Sequence, residues 1–424
     1  MTDPDTLRVW YGDRLVGFLR RSTTNQIGFQ YCDEWLTAAD RVAISVSLPL
    51  SADPHRPEDA LAHRFFANLL PEGRVREHIV RDLKIPDTDF DLLRAIGGEC
   101  AGALSILPDD REPDVESTYQ ELTEGAFRDL VLRKGQIYAG PHSGATASQF
   151  PRLSLAGAQE KCPVLLRDGQ FHLPQGEAPS SHILKFAITD YRHVPAYETV
   201  LTDLARRIGL HTAVVEFHYL HLNKQAHDYL VIERYDREIT TYGEVRRLHQ
   251  EDFCQALGVG RERKYGTDGG VSFTECFRLL REVSTEPALD AEQLLRWQIF
   301  NYLAGNSDGH AKNLSLLYHK DGSIRLAPFY DLVCTRAIER IDPKLALAVG
   351  GEHMPGSIRP AHWQRLADEL GIKFGYLQTL VAETAEQVRE ETDPAVEAFQ
   401  QKHGDYPALQ RVQQVVERQC RKLK

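Results

Sequence analysis

The chain has 424 residues, with 50 Lys and Arg against 61 Asp and Glu, for a net charge of −11. That length suits two or three domains with ample core for each, and the negative balance disfavours non-specific binding to a polyanion, so a role on DNA is expected to run through a basic partner. No apolar run approaches the roughly 20 residues of a membrane span, Met1-Thr2-Asp3-Pro4-Asp5 lacks a signal-peptide core, and the seven cysteines are scattered without metal-ligand spacing, so reduced thiols in the cytoplasm are expected.

The first signal along the chain is a β-hairpin. Leu7-Arg8-Val9-Trp10-Tyr11 and Leu15-Val16-Gly17-Phe18-Leu19 flank the turn pair Gly12-Asp13. His63 to Val80 is a helical stretch interrupted at Leu70-Pro71. Residues 1–110 are expected to form an N-terminal α/β subdomain, and residues 111–150 a connecting segment. Within the latter, Ala139 to Ser148 is small and polar, as a flexible linker would be.

Ser154 to Leu166 follows. Small residues at 156 to 158 let backbone N–H groups approach an anion closely, and flanking apolar residues suit a strand–turn–strand cover over phosphates. The run holds one glycine and matches neither a Walker A loop nor a three-glycine kinase loop, so an ordinary hairpin would read the same way. Next, Ser181 to Phe186 reads as a short strand with Lys185 inside it, and a lysine among apolar residues needs an anionic partner. Thirteen residues later Glu198 lies near the start of a helix whose buried face is Tyr197, Val200, Leu201, Leu204 and Ile208, with Gly209 as its stop. A strand lysine followed by a helix glutamate clamps the α- and β-phosphates in kinases. Alone, the pair is a surface lysine and a first-turn glutamate favoured by the helix dipole. Tyr229 to Arg237 is an apolar strand entering a charged turn, where a kinase hinge would present backbone groups to adenine.

The most informative stretch is Ala304 to Asn313. It follows an apolar helical run, Leu294 to Leu303, and precedes a strand-like run, Leu314 to Tyr318. Asp308 and Asn313 stand five residues apart, and Asp331 lies eighteen beyond Asn313, after Leu326 to Tyr330. In a kinase the first Asp accepts the proton of the attacking hydroxyl, while the Asn and the second Asp hold magnesium on the phosphates. Asx and Gly residues also make ordinary turns; it is the other kinase parts, in the right order, that lift the reading. His310 beside two acids suggests a metallohydrolase, but no second His lies nearby, and hard oxygen ligands favour magnesium over zinc.

Ordered matches over most of the length then resemble one family. They are Phe65 to Gly73, Asp89 to Leu93 with Ile96-Gly97, Ser154 to Lys161, Ile183-Leu184-Lys185, Val231 to Arg237, Gln250 to Gln255, Lys264-Tyr265 with Asp268-Gly269-Gly270, Ser307 to Asn313, and Phe329-Tyr330-Asp331. Together they resemble the HipA family of bacterial serine/threonine kinases, the toxin half of HipB–HipA toxin–antitoxin modules. The resemblance implies an α+β, bilobal protein-kinase-like fold, with a β-rich small lobe over 151–237 and an α-helical large lobe over 238–424. It implies ATP and Mg2+ as cofactors, with Asp308 as catalytic base and Asn313 and Asp331 as metal ligands. Ala156, Gly157, Ala158, Gln159, Glu160 and Lys161 become the phosphate loop, Lys185 the phosphate lysine with Glu198 as its ion-pair partner, and Glu233, Arg234 and Tyr235 the hinge. His310, Lys312 and Tyr330 join the nucleotide site, and Ser154 matches the serine that family members autophosphorylate. The implied partner is a small helix-turn-helix antitoxin of the HipB kind, and the implied substrate an aminoacyl-tRNA synthetase, typically the glutamyl enzyme. Cys162 and Ser307 stand where Thr is common, both changes of similar size. Two other readings are a non-catalytic corepressor and a small-molecule kinase. The intact set Asp308, Asn313, Asp331 and Lys185 favours catalysis, and the full-length resemblance favours a protein substrate.

Overall fold

The computed structural model describes residues 3, 5–137, 152–157, 159–188, 191, 193–222 and 225–423. The expected linker Ala139 to Ser148 and Ala158 of the phosphate loop lie outside the described residues.

Alternation builds the first sheet. β1 (Thr6–Tyr11) and β2 (Arg14–Arg21) pair antiparallel around Gly12, whose φ of +62° suits the tight turn. β3 (Ile27–Tyr31) follows, then α1 (Asp33–Thr37). The helical stretch read after His63 is two helices, α2 (Leu61–Ala67) and α3 (Gly73–Leu83), divided where Pro71 cannot donate. α4 (Asp89–Ile96) is capped by Thr88, whose Oγ1 accepts from Asp91 N at 3.1 Å. β4 (Leu104–Pro108) completes an antiparallel sheet in the order β3-β2-β1-β4. Leu7, Val9, Val16, Leu19 and Ile27 from its strands are fully buried with Phe65, Phe66 and Phe90 from the helices.

β5 (Tyr119–Glu121), α5 (Glu124–Leu132), β6 (Lys161–Arg167), β7 (Gln170–Pro174) and β8 (His182–Phe186) come next. They are followed by α6 (Val194–Arg207), β9 (Val215–Leu222), β10 (Gln225–Glu233), β11 (Arg237–Ile239), β12 (Val245–Arg247), β13 (His249–Asp252) and α7 (Phe253–Ala256). The second sheet has the order β5-β7-β6-β8-β10-β9. The rest is α8 (Phe273–Val283), α9 (Pro287–Ala304), β14 (Ser315–Tyr318), β15 (Ile324–Leu326), α10 (Pro360–Leu370), α11 (Phe374–His403) and α12 (Leu409–Arg421).

The chain divides into two compact units. Unit 1 is Met1–Phe186, His218–Arg261 and Leu317–Lys320; unit 2 is Ala187–Phe217, Glu262–Leu316 and Asp321–Lys424. Unit 2 is built on α9, which is buried on nearly all sides and so carries little amphipathic signal. α8, α11 and α12 pack against it, and α6 packs on α11. Trp297 of α9 stacks on Phe329 at 5.8 Å. Among the described residues, no helix is long and apolar enough to cross a membrane.

Unit 1 holds a buried charge cluster. Glu99, fully buried, accepts from Ser180 N at 2.9 Å, Arg234 Nη1 at 3.0 Å and Arg237 Nη2 at 2.9 Å, and its other oxygen forms an ion pair with Arg247 Nη2 at 2.5 Å. Asp236, beside it, takes Arg234 and Arg237 at 2.7 and 2.9 Å. Burial alone would raise the carboxyl pKa of Glu99, but Arg237, Arg247 and Arg234 hold it down to about 2 from an ordinary 4.5. Removing one member leaves the others buried and uncompensated. Glu99→Ala is therefore expected to destabilise the protein by about 3–5 kcal/mol, read by denaturant unfolding. A folded pKa below the unfolded one means that this contribution is complete above pH 4.5 and is lost as pH falls toward 2. Wild type should lose stability through that window, and Glu99→Gln should lose less.

Candidate active site

The loop after α9 begins where Gly305 caps the helix at φ +70°. A Cβ there would meet Val415 Cγ1 at 2.6 Å, so this position needs glycine for both space and conformation. Because the loop is buried but irregular, side chains must satisfy its backbone. Asn306 does this through Oδ1, which accepts from Asp308 N at 3.1 Å, while its Nδ2 donates to Asn301 Oδ1 on α9 at 3.0 Å. Ser307 is held by N–H donation to Thr335 Oγ1 at 2.7 Å and by Oγ–H donation to Pro343 O at 3.0 Å. Gly309 lies against α9, where a Cβ would come within 2.5 Å of Asn301 Nδ2.

This framework presents Asp308. Its side chain is half exposed, and Oδ1 accepts from Tyr265 Oη at 2.8 Å. His310 Nε2 stands 4.0 Å from the same oxygen, and its ring meets Tyr265 edge to face at 5.0 Å. Burial lowers the His310 pKa, Asp308 partly offsetting it, so the imidazole is neutral near pH 7. A half-exposed carboxylate with one oxygen already positioned can accept a proton from a hydroxyl arriving at the other.

Asn313 Nδ2 donates to Asp308 O at 2.9 Å, which orients the amide and turns Oδ1 away as an acceptor. Asp331 takes φ +55°, a left-handed conformation that Asp tolerates better than most residues. Tyr330, just before it, donates from Oη to Lys312 O at 2.8 Å, and Ser315 Oγ–H donates to Tyr330 Oη at 2.9 Å. One hydroxyl thus ties the residue before Asp331 to the residue before Asn313. The two candidate ligands offer an amide and a carboxylate oxygen, a hard donor set that fits Mg2+. Lys312 is buried beside them.

Unit 1 carries the other candidates except Glu198. The expected hairpin over the phosphate segment is not there. Residues 152–157 pair only through single parallel bridges, Glu99 with Leu153 and Pro71 with Gly157. Their backbone groups go to the N-terminal region instead: Ser154 N donates to Glu99 O at 2.8 Å, and Glu72 N to Gly157 O at 3.0 Å. Ser154 is fully buried, with Oγ donating to Leu69 O at 2.8 Å. Gly157 has φ +121°, open to glycine and strained for other residues. Lys161 Nζ reaches back to Ala156 O at 3.4 Å, Gln159 Nε2 donates to Phe186 O at 2.6 Å, and Glu160 meets His78 at 2.9 Å.

Lys185 is buried in β8, paired on one side with Lys161 and on the other with Leu230. Directly opposed residues share a face, so two ammonium groups concentrate charge there, unfavourable unless an anion is near. Glu198, its expected partner, is buried on α6 of unit 2. Of the hinge residues, Glu233 ends β10 exposed, and Tyr235 Oη donates to Gln250 Oε1. The Arg234 guanidinium is spent inside the Glu99 cluster, so only its backbone is left to serve a hinge.

Two residues of this arrangement carried no sequence signal of their role. Tyr265 contacts Asp308 across 43 residues, and Thr335 holds Ser307 across 28. Tyr265 stood within a matching piece but with no assigned part.

Comparisons with known proteins bear on the family and the fold. A model of the HipA-like C-terminal domain matches residues 153–396, more than half of the chain, and a model of the HipA N-terminal domain matches residues 7–107. The chain is 39% identical over 395 residues to Y4mE of Sinorhizobium fredii, named provisionally as a kinase, covering 90% of each. It is 29% identical over 384 residues to the serine/threonine-protein kinase toxin HipA of Shewanella oneidensis, covering 87% of this chain and 84% of that one. Its fold is similar to the S. oneidensis MR-1 complex of HipA, HipB and operator DNA, with a TM-score of 0.79 at 24% identity and 97% of both chains covered. Fold and family models together define a protein kinase with a kinase-like α+β fold. The chain belongs to the HipA family.

Tyr330→Phe keeps the ring and removes the tie between the two ligand-bearing segments. Leaving Lys312 O unmatched is expected to cost about 1–3 kcal/mol, seen as a lower denaturant midpoint at unchanged slope.

Proposed function

We propose that this HipA-family kinase is an ATP- and Mg2+-dependent serine/threonine protein kinase acting as the toxin of a toxin–antitoxin module. The observation that carries the reading is the single framework of Asp308, Asn313 and Asp331, tied by the Asn313 amide and the Tyr330 hydroxyl. Asn313 and Asp331 are the residues that would hold Mg2+. Bound Mg·ATP supplies the transferable phosphoryl group and neutralises its developing charge. Asp308 accepts the proton of the acceptor hydroxyl through the oxygen that Tyr265 leaves open. Lys161, Lys185 and the backbone of Ala156, Gly157, Ala158, Gln159 and Glu160 are assigned to the phosphates. Glu198 is assigned to ion pairing with Lys185. Glu233, Arg234 and Tyr235 are assigned to adenine, and His310, Lys312 and Tyr330 to the metal-side support of the nucleotide.

The substrate class proposed is an aminoacyl-tRNA synthetase, the glutamyl enzyme first, which rests on the family resemblance. A HipB-like DNA-binding antitoxin is proposed as partner. The solved relative contains HipA, HipB and operator DNA, and the charge of −11 suits a basic partner. A cytoplasmic site of action is supported by seven free, buried cysteines.

Ser154 is proposed as the self-inactivation site. A phosphoserine carries roughly −1.5 to −2 charge and three acceptor oxygens. It cannot occupy the fully buried position where Ser154 Oγ now donates to Leu69 O. Phosphorylation would therefore detach Ser154 to Gly157 from the N-terminal residues that hold it.

Incubating the chain with Mg·ATP and cell lysate, then mapping new phosphosites by mass spectrometry, tests the reading. Asp308→Asn and Asp331→Asn are each expected to lower transfer by at least about 10²-fold, and near wild-type transfer by Asp308→Asn would remove the base assignment. Ser154→Ala should keep phosphorylating substrate while accumulating no phosphate at 154, and stoichiometrically phosphorylated wild type should bind ATP poorly. Full ATP binding by that form would defeat the switch and leave the kinase standing.

A further inference from the structure

Unit 2 gathers positive charge where acids do not answer it. Arg336 lies in the short 3-10 turn Thr335–Ala337, and its N–H donates to Gly305 O at 3.1 Å, against the start of the loop that carries Asp308. Its Nη1 is buried with no protein partner. Tyr302 of α9 is fully buried and Trp363 of α10 is 4% exposed, yet Tyr302 Oη and Trp363 Nε1 also have no protein partner. The two rings meet edge to face at 5.8 Å.

Three more cations lie on the elements packed here, α12 resting on both α9 and the Arg336 turn, with Gln419 Nε2 donating to Tyr302 O at 3.1 Å. Arg359 is the residue before α10, and Arg418 and Lys422 come from the end of α12. Their mutual field is felt throughout. Burial and Arg418 lower the Arg336 pKa; burial, Arg336, Arg418 and Arg359 lower that of Lys422; and Arg336 and Arg359 act on the Tyr302 hydroxyl. The neighbouring acids are taken. Glu417 pairs with Arg421, and Glu339 with Arg411 at 3.1 Å. The cations are only partly spent: Arg359 Nη1 donates to Gly356 O and Ile358 O, and Lys422 Nζ to Gln419 Oε1 at 3.0 Å.

Four like charges and three buried unmatched donors disfavour one another unless an anion sits among them. Arginine, lysine and indole N–H groups only donate, so the ligand must be rich in acceptors. A carboxylate brings one charge and two oxygens. A phosphate group brings up to two charges and at least three oxygens, which guanidinium forks match.

We propose that Arg336, Tyr302 and Trp363, ringed by Arg359, Arg418 and Lys422, form a binding site for a phosphate group. None of these six residues is assigned a part in the kinase site, so the proposal stands apart from that assignment.

The test titrates the full chain with inorganic phosphate against chloride at matched ionic strength, following the melting temperature and, by calorimetry, the affinity. Ligand binding to the folded state raises the melting temperature by mass action. Phosphate should stabilise wild type beyond chloride. The effect should survive Lys185→Ala, which separates it from phosphate bound by the nucleotide residues. It should weaken at least tenfold in the double variant Arg359→Ala/Arg418→Ala, whose exposed side chains can be removed without opening the core. Arg336→Gln should abolish it. Competition by free phosphoserine then distinguishes the sources: displacement at or below the phosphate concentration assigns a phosphorylated side chain, and weaker displacement a free ion, either supporting the site. Stabilisation no greater than with chloride, or wild-type affinity in the double variant, would overturn it. So would duplex DNA binding that is lost in the double variant while inorganic phosphate does not bind at all, since the surface would then be a nucleic-acid contact.

Discussion

Unit 1 depends on one buried carboxylate. Glu99 cannot be left alone in the core, because an unpaired buried charge is far costlier than an unpaired neutral group. Three guanidiniums and Ser180 meet it from three stretches of chain: Arg234 and Arg237 flank the turn after β10, Arg247 lies in β12, and Ser180 precedes β8. The backbone of Glu99 pairs with Arg152 and Ser154 at the same time. A single residue therefore ties the phosphate segment, the residues assigned to the hinge and the N-terminal sheet. Buried ion clusters add little net stability compared with apolar packing, but they penalise alternative arrangements heavily. Here the penalty fixes the position of an otherwise irregular loop.

Unit 2 solves the opposite problem. The Asp308 loop must be buried enough to be rigid and irregular enough to present a carboxylate. Regular hydrogen-bond ladders are excluded, so Asn306, Asn313, Ser307 and Thr335 satisfy the backbone through side chains, and Asn301 anchors the Asn306 amide. Each bond is worth only about 1 kcal/mol net. Their shared effect is geometric, since groups held before a reaction do not have to be ordered during it. The Tyr330 hydroxyl extends the same economy to Asp331, whose left-handed backbone persists only because its surroundings define it.

Much of this was legible in order and spacing. The hairpin at Gly12-Asp13, the helix break at Leu70-Pro71, the helix ending at Gly305 and the strand around Lys185 are local events, set by turn chemistry and by apolar period. The Asp308–Asn313–Asp331 spacing is equally local, since the loop geometry that joins the first two spans five residues. The strand–turn–strand expected over the phosphate segment has only its second strand, β6, for a physical reason. The segment's flanks are apolar enough for strands, but its hydrogen-bond partners lie at Glu72 and Glu99, more than 50 residues away.

What the sequence alone determined is therefore the local elements, written in neighbours a few positions apart, and the family, written in the order of motifs along the chain. What only the tertiary structure decided is how the residues of the candidate site are held. The Arg234 guanidinium goes to Glu99 instead of outward, Tyr265 reaches Asp308, and Ser154 is sealed beneath Leu69. The edge-to-face meeting of Tyr302 and Trp363, with their polar atoms and Arg336 Nη1 buried unmatched, was equally hidden. Burial and long-range pairing depend on which faces the packed helices and sheets bring together, and no local pattern encodes that.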